Sequence, residues 1–233
     1  MNDLTIIYYT ANNNSDYFMA NTQKNLLKAV GDTPIISVSF KPTVIGNNCK
    51  NICIGEQPRS NYMIYKQVLI GAKKAKTKYV AMAEDDMLYH SSHFNHRPTD
   101  DETFSYNINK WSIFSWIDPP FFSYRINKLM NSLITTKKAL IKTLEERYAK
   151  YPNLKKIPHN IYKYYCEPGR FENQIGITPL KSGEYRSKYP NVMFSTSEAL
   201  GFQELGVKKA HSKIRADKID YWGSAEETLK LYG

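Results

Sequence analysis

The chain has 233 residues, 42% of them hydrophobic, and a formal net charge of +10. That is enough apolar material for one sizeable core, which excludes wholesale disorder. No stretch approaches the ~18 uninterrupted apolar residues of a membrane span, and the opening MNDLTIIYYT lacks the basic and apolar segments of a signal peptide.

LTIIYYT has the composition of a strand, and the helical pattern of SDYFMANTQKNLLKAV follows it with Ser15 or Asp16 as cap. PIISVSF predicts a second strand, with Pro34 at its start where a missing N–H is tolerated, and NICI a short third. NYMIYKQVLIGAKKAK predicts a helix with Ile64, Val68, Leu69, Ala72 and Ala75 on one stripe. KYVAMA is then a buried strand that stops at Glu84, Asp85 and Asp86. This alternation predicts an α/β fold with a mostly parallel sheet, whose ligands bind beyond the carboxyl ends of the strands.

The second half is less regular. FSYNINKWSIFSW predicts an extended run, broken at IDPPFF. A long amphipathic helix is predicted over 125–151, with Ile126, Leu129, Met130, Leu133, Ile134, Leu140, Ile141, Leu144 and Tyr148 inward and Lys128, Lys138 and Lys142 outward. YPNLKKIPHNIYKYYCEPGRFENQ is a loop region and STSEALGFQELG a short helix. No repeat, low-complexity tract or linker divides the chain, so one domain over 1–233 is expected. Cys49, Cys53 and Cys166 are odd in number and lack zinc-ribbon spacing, which fits a reducing, cytoplasmic setting.

The charge is concentrated. Residues 121–166 carry ten Lys or Arg against Glu145 and Glu146. A field of that kind favours a polyanionic partner. With Tyr162, Tyr164 and Tyr165 close behind, a lysine stripe would suit a phosphate backbone and a stacked base.

Adjacent carboxylates at the end of a buried strand repel one another unless a cation neutralises them. Hard ions such as Mg2+ or Mn2+ take oxygen ligands, few from protein and several from a diphosphate. On an extended chain Glu84 and Asp86 point one way and Asp85 the other. A strand–helix–strand half with Arg59 and Lys66 upstream of this EDD sequence resembles the GT-A glycosyltransferases, architecturally across 1–90 and more weakly across 91–233. The resemblance implies a Rossmann-like half that binds a nucleotide-sugar, UDP-glucose being the expected donor, and an irregular α+β half for the acceptor. It makes Asp86 the direct metal ligand and Glu84 and Asp85 contacts to ribose or to the metal's water shell. It puts Tyr9 and Thr10 beside the base, and Arg59 and Lys66 toward uracil or phosphate. It also implies a C-terminal metal ligand, for which His211 fits, with the turn around Trp222 as part of a lid.

An inverting transferase needs a general base near the acceptor. Glu172 in CEPGRFENQIG is the first candidate, with Arg170 nearby to keep it ionised, followed by Glu167 and Asp118. His90, His93 and His96 lack the helical setting of a zinc site, and His93 and Phe94 are expected to pack beneath the acceptor side. Small basic proteins resembling this family include phage enzymes that glycosylate modified DNA bases, so a hydroxymethylated base in DNA is the expected acceptor, with a glycan or small molecule as the alternative. A nucleotidyltransferase would show a glycine-rich loop where this chain has TANNNSD. A nuclease would need acidic residues from several elements. A non-catalytic nucleic-acid-binding module would leave the triplet as a mere turn.

Overall fold

The computed structural model describes residues 3–199 and 212–233. His211 and most of the helix expected over 195–206 lie outside these. In the first half the elements follow the expected order: β1 (Leu4–Thr10), α1 (Asp16–Val30), β2 (Ile35–Ser39), β3 (Cys49–Cys53), α2 (Asn61–Lys74) and β4 (Tyr79–Glu84). Ser15 caps α1 by accepting from the Phe18 N–H, and Gly31 ends it at φ 55°, where a side chain would be strained. Ser60 caps α2 through the Met63 N–H.

The remainder supplies β5 (Met87–Leu88), α3 (Ser91–Phe94), β6 (Thr103–Asn107), β7 (Lys110–Phe114), β8 (Phe122–Tyr124), β9 (Leu133–Thr136), α4 (Lys137–Lys150), β10 (Lys181–Tyr185), β11 (Asn191–Ser195) and β12 (Arg215–Ala216). Among the described residues a seven-stranded sheet runs β10-β6-β9-β4-β1-β2-β3 and a five-stranded sheet runs β12-β8-β7-β11-β5. The larger sheet is parallel except at β9, which runs antiparallel to both neighbours. The fold is therefore α/β with a mostly parallel sheet, and that sheet draws strands from both sides of residue 90. One of its faces packs on α2 and α4, the other on α1 and α3. Contact with α2 is close: a Cβ on Gly71 would stand 2.5 Å from Ile7 Cγ2. Alanine there would push the helix off the sheet.

Two expectations are corrected. The helix predicted over 125–151 begins only at Lys137, capped by Thr136 through the Ala139 N–H. Ahead of it a 3-10 turn at Met130–Ser132 leads into β9, whose LITT sequence fills a wholly buried slot between β4 and β6. Apolar residues at helical spacing also satisfy a strand buried on both faces, and β-branched Ile and Thr favour the strand. The extended run at 104–116 likewise splits, β6 joining the larger sheet and β7 the smaller.

His93 packs as expected, fully buried with Phe94 at the end of α3. Its Nδ1 lies 3.1 Å from Asn107 Nδ2, 3.2 Å from Asn191 Nδ2 and 3.0 Å from the Tyr185 hydroxyl, so the ring is an acceptor and neutral. Burial pushes its pKa down to about 3, with His96 and Lys110 adding to the effect. The unfolded histidine titrates near ~6.5. Between those values the unfolded chain binds the extra proton, so this contribution to stability is complete above ~6.5 and lost as pH falls toward 3. His93→Gln should therefore show a shallower loss of urea stability than the wild type between about pH 6 and pH 4. Identical slopes would mean that His93 does not carry it.

Candidate functional site

β1 and β4 are parallel neighbours with Tyr9 opposite Glu84, so their carboxyl ends open side by side. A cleft opens there, where ligands bind in sheets of this kind. Tyr9, Thr10, Arg59, Glu84, Asp85 and Asp86 all line it. Six of the expected site residues thus come together. The alternation expected for the triplet does not hold: Glu84 ends β4, Asp85 and Asp86 form a turn, and β5 begins at Met87. The turn brings all three carboxylates to one cleft.

Each carboxylate sits in its own setting. Burial pushes Asp85 upward, and hydrogen bonds from Thr10 and Asn14, with the Arg59 charge, pull it back. The Thr10 hydroxyl donates to Asp85 Oδ2, while the Asp85 carbonyl accepts from Thr22 Oγ1 at 2.9 Å. Burial also raises Glu84, opposed by hydrogen bonding from Tyr9 and Asn131 and reinforced by the charges of Asp85 and Glu167. Asn131 Nδ2 donates to Glu84 Oε2 at 2.6 Å. The Asp86 carbonyl accepts from the Phe194 N–H at 2.8 Å, which ties the turn to β11.

The loop after β1 is fixed by residues whose role the sequence did not disclose. Asn12, at φ 52°, accepts from the Phe40 and Lys41 N–H groups and donates to Thr43 Oγ1 at 2.9 Å. Buried Gln67 donates from Nε2 to the carbonyls of Thr10 at 2.8 Å and Val38 at 2.9 Å. Lys66, its neighbour, is exposed and outside the cleft lining, so α2 directs Gln67 toward the strand ends and not the expected cation. One helical step, about 100°, separates the two directions.

The expected acceptor-side residues divide. Glu172 is buried in an ion pair with Arg147 at 2.6 Å and accepts from the Gly169 N–H at 2.8 Å. Its partner is Arg147 of α4, not Arg170, which pairs with Glu167 at 3.0 Å. Arg147 also donates to the Cys166 carbonyl at 2.6 Å, and the Tyr106 hydroxyl donates to the Pro168 carbonyl, so this loop is pinned from both ends. Glu167, within the pinned segment and 15% exposed, acts electrostatically on both Glu84 and Lys110. Asp118 is exposed on the loop between β7 and β8, outside the cleft lining. Trp222 donates from Nε1 to the Pro190 carbonyl at 2.7 Å and packs against the apolar side of the smaller sheet, away from the cleft.

Lys110 went unnoticed in the sequence because KWSIF resembles an ordinary half-exposed strand. In the structure it is fully buried and donates to the Asn127 carbonyl at 3.0 Å. Burial pushes its amine down to about 7, against the charges of Glu167, Glu84 and Asp86. It is a counter-charge behind the acidic triplet.

The lysine stripe is not assembled. Lys128 lies on a loop and donates to Ser182 Oγ at 2.9 Å, whereas Lys138 and Lys142 project from α4. Tyr165 is buried in the core, and Tyr162 and Tyr164 pack against it. Early termination of the helix toward its N-terminal side removes the common face.

Among the described residues no three of His, Cys, Asp and Glu form a ready-made metal cage, and no helix is long and apolar enough to cross a membrane. All three cysteines are free thiols.

No protein-family description matches this chain, and no curated protein matches it. Among solved structures, the bifunctional IspDF of Campylobacter jejuni aligns at 12% identity and a TM-score of 0.43, covering 80% of this chain and 50% of its own. S. aureus TarS, residues 1–349, aligns at 11% identity and 0.45, covering 84% and 60%. The same TarS fragment in complex with UDP aligns at 10% and 0.43, covering 83% and 60%. This chain thus spans half to three fifths of those structures, a likeness too remote to transfer residue roles.

The buried pair gives a clear expectation. Glu172→Gln leaves the Arg147 charge buried without a counter-ion, which should cost about 3–5 kcal/mol in urea denaturation. Nucleotide binding by the folded fraction should be unaffected. Unchanged stability with lost binding would return Glu172 to the site.

Proposed function

We propose that the protein is a metal-dependent glycosyltransferase that moves a sugar from a UDP-sugar, UDP-glucose being the first donor to try, to a hydroxyl acceptor. The observation that carries this reading is the gathering of Glu84, Asp85 and Asp86 with Thr10 and Arg59 in one cleft at the carboxyl ends of parallel strands. In such sheets this is where nucleotides bind. Residues 1–90 would form the donor half and 91–233 the acceptor half.

The donor set fits a hard divalent cation. A Mg2+ or Mn2+ in a nucleotide site takes one or two carboxylates and fills its shell with phosphate oxygens and water, so no all-protein cage is needed. Asp86 would hold it, with Glu84 and Asp85 on its waters or on the ribose. Thr10 and Tyr9 would meet the base, and Arg59 the diphosphate. His211, outside the described residues, is kept as the proposed C-terminal ligand. When bound, the cation supplies neutralisation of the charge that develops on the departing diphosphate.

For an inverting outcome we assign the general base to Glu167. It combines partial exposure with a pinned backbone and lies within electrostatic reach of Glu84. Its carboxylate would take the acceptor hydroxyl's proton as the oxygen forms its bond to the anomeric carbon and the bond to the diphosphate oxygen breaks. The reading of a hydroxymethylated DNA base as acceptor drew on the lysine stripe and on the resemblance to phage enzymes, and keeps only the second.

Calorimetry with UDP, with and without manganese, tests the donor side. Asp86→Asn should abolish the manganese-dependent part of UDP binding and leave a cooperative fold. Metal-independent, unaltered affinity would remove the transferase reading. Glu167→Gln should retain UDP binding and lose turnover by ~10²–10⁴-fold, the usual range for a general base. Full turnover with that variant would point to a retaining mechanism or another base.

A further inference from the structure

The smaller sheet has two unlike faces. Ile113, Phe122, Val192 and Phe194 make one apolar face, packed on Phe18 and the C-terminal segment. Residues in register share a face, and alternate residues take opposite ones. The register pairs Asn191 with Lys110, Met193 with Ser112 and Ser195 with Phe114. It continues from Ser112 to Ser123 and on to Arg215, while the Arg125 N–H donates to the Lys110 carbonyl at 2.8 Å. The second face therefore carries Ser112, Ser123, Ser195 and Asn191, all fully buried, beside Lys110, Arg125 and Arg215.

This face adjoins the cleft. Asn131, which holds Glu84, is 3.9 Å from the Met193 sulfur, and Thr196, directly after Ser195, lines the cleft. Four of its polar atoms are not satisfied internally. Ser112 Oγ, Ser195 Oγ, Asn191 Oδ1 and Arg125 Nε are buried without a hydrogen-bond partner. Such groups are rare because a buried polar atom without a partner keeps its full desolvation penalty. Among the described residues neither Arg125 nor Arg215 has a carboxylate partner; Arg125 lies 5.8 Å from the Phe114 ring centroid and Arg215 4.5 Å from that of Phe121. A guanidinium stacked on a ring keeps its N–H edge for a planar or tetrahedral anion.

We propose that this polar face of the smaller sheet is the acceptor subsite, and that the acceptor is a small hydroxylated molecule bearing a phosphate group. Arg125 and Arg215 take the phosphate, while Ser112 and Ser195 take its oxygens or the neighbouring hydroxyls. The burial of those two side chains favours a compact phosphate monoester over the backbone of a duplex. The word acceptor rests on the transferase reading; the anion site does not.

The test follows the arginine Nε–Hε resonances by NMR with the cleft filled by UDP and magnesium. Inorganic phosphate and methyl phosphate are titrated in turn, against acetate and a duplex oligonucleotide at matched ionic strength. The expected result is a saturable shift of the Arg125 resonance with both phosphates. Arg215→Gln, a surface change that leaves the core intact, should weaken it about tenfold, the loss expected for one charge-assisted contact. Arg125→Gln identifies the resonance. An Arg125 signal that follows ionic strength alone, or responds only to acetate or only to the duplex, overturns the proposal. Failure of UDP to bind, with the phosphate shift intact, would instead overturn the transferase reading and leave the anion site standing.

Discussion

Negative charge at the end of a buried strand constrains everything around it. Glu84 and Asp85 are enclosed, and burial raises both. The fold meets that demand with groups from many elements: Thr10 from β1, Asn131 from the turn before β9, Arg59 ahead of α2 and Lys110 from β7. Thr10 and Asn131 bond the carboxylates directly, while Arg59 and Lys110 act on them through charge, and such sets are seldom separable into pairwise contributions. The larger sheet contributes donors from its carboxyl end, and the smaller contributes a buried cation. The cleft is where those two contributions meet.

Much of the first half could be read directly from the chain. Ser15, Gly31 and Ser60 stand where helix ends require them, and the strand–helix alternation gives the parallel sheet. The triplet was recognisable because its members are adjacent. What escaped is non-local. Gln67 and Lys66 are equivalent to a pattern reader until the helix is rotated against β1 and β2. Arg170 seemed the partner of Glu172 because it is two residues away, yet Arg147 reaches it across the fold. β9 resembled a helix because its apolar spacing fits both periods, and only the slot between β4 and β6 decides.

The proposed acceptor side stands on two rigid supports. Arg147 and Glu172 fix the loop that carries Glu167, and the register of β7, β8 and β11 fixes the polar face beside it. Neither depends on a long side chain ordered at the surface. Functional groups held this way lose little freedom on binding, which is the benefit of a preorganised site.

Asp85 and Asp86 have a second role in the architecture. The chain leaves the larger sheet at Glu84 and enters the smaller one at Met87, so these two residues form one of the covalent crossings between the sheets, as short as the one from Asn107 of β6 to Lys110 of β7. Charge and connectivity therefore share a dipeptide, so neither Asp85 nor Asp86 can shift without drawing on a strand of each sheet.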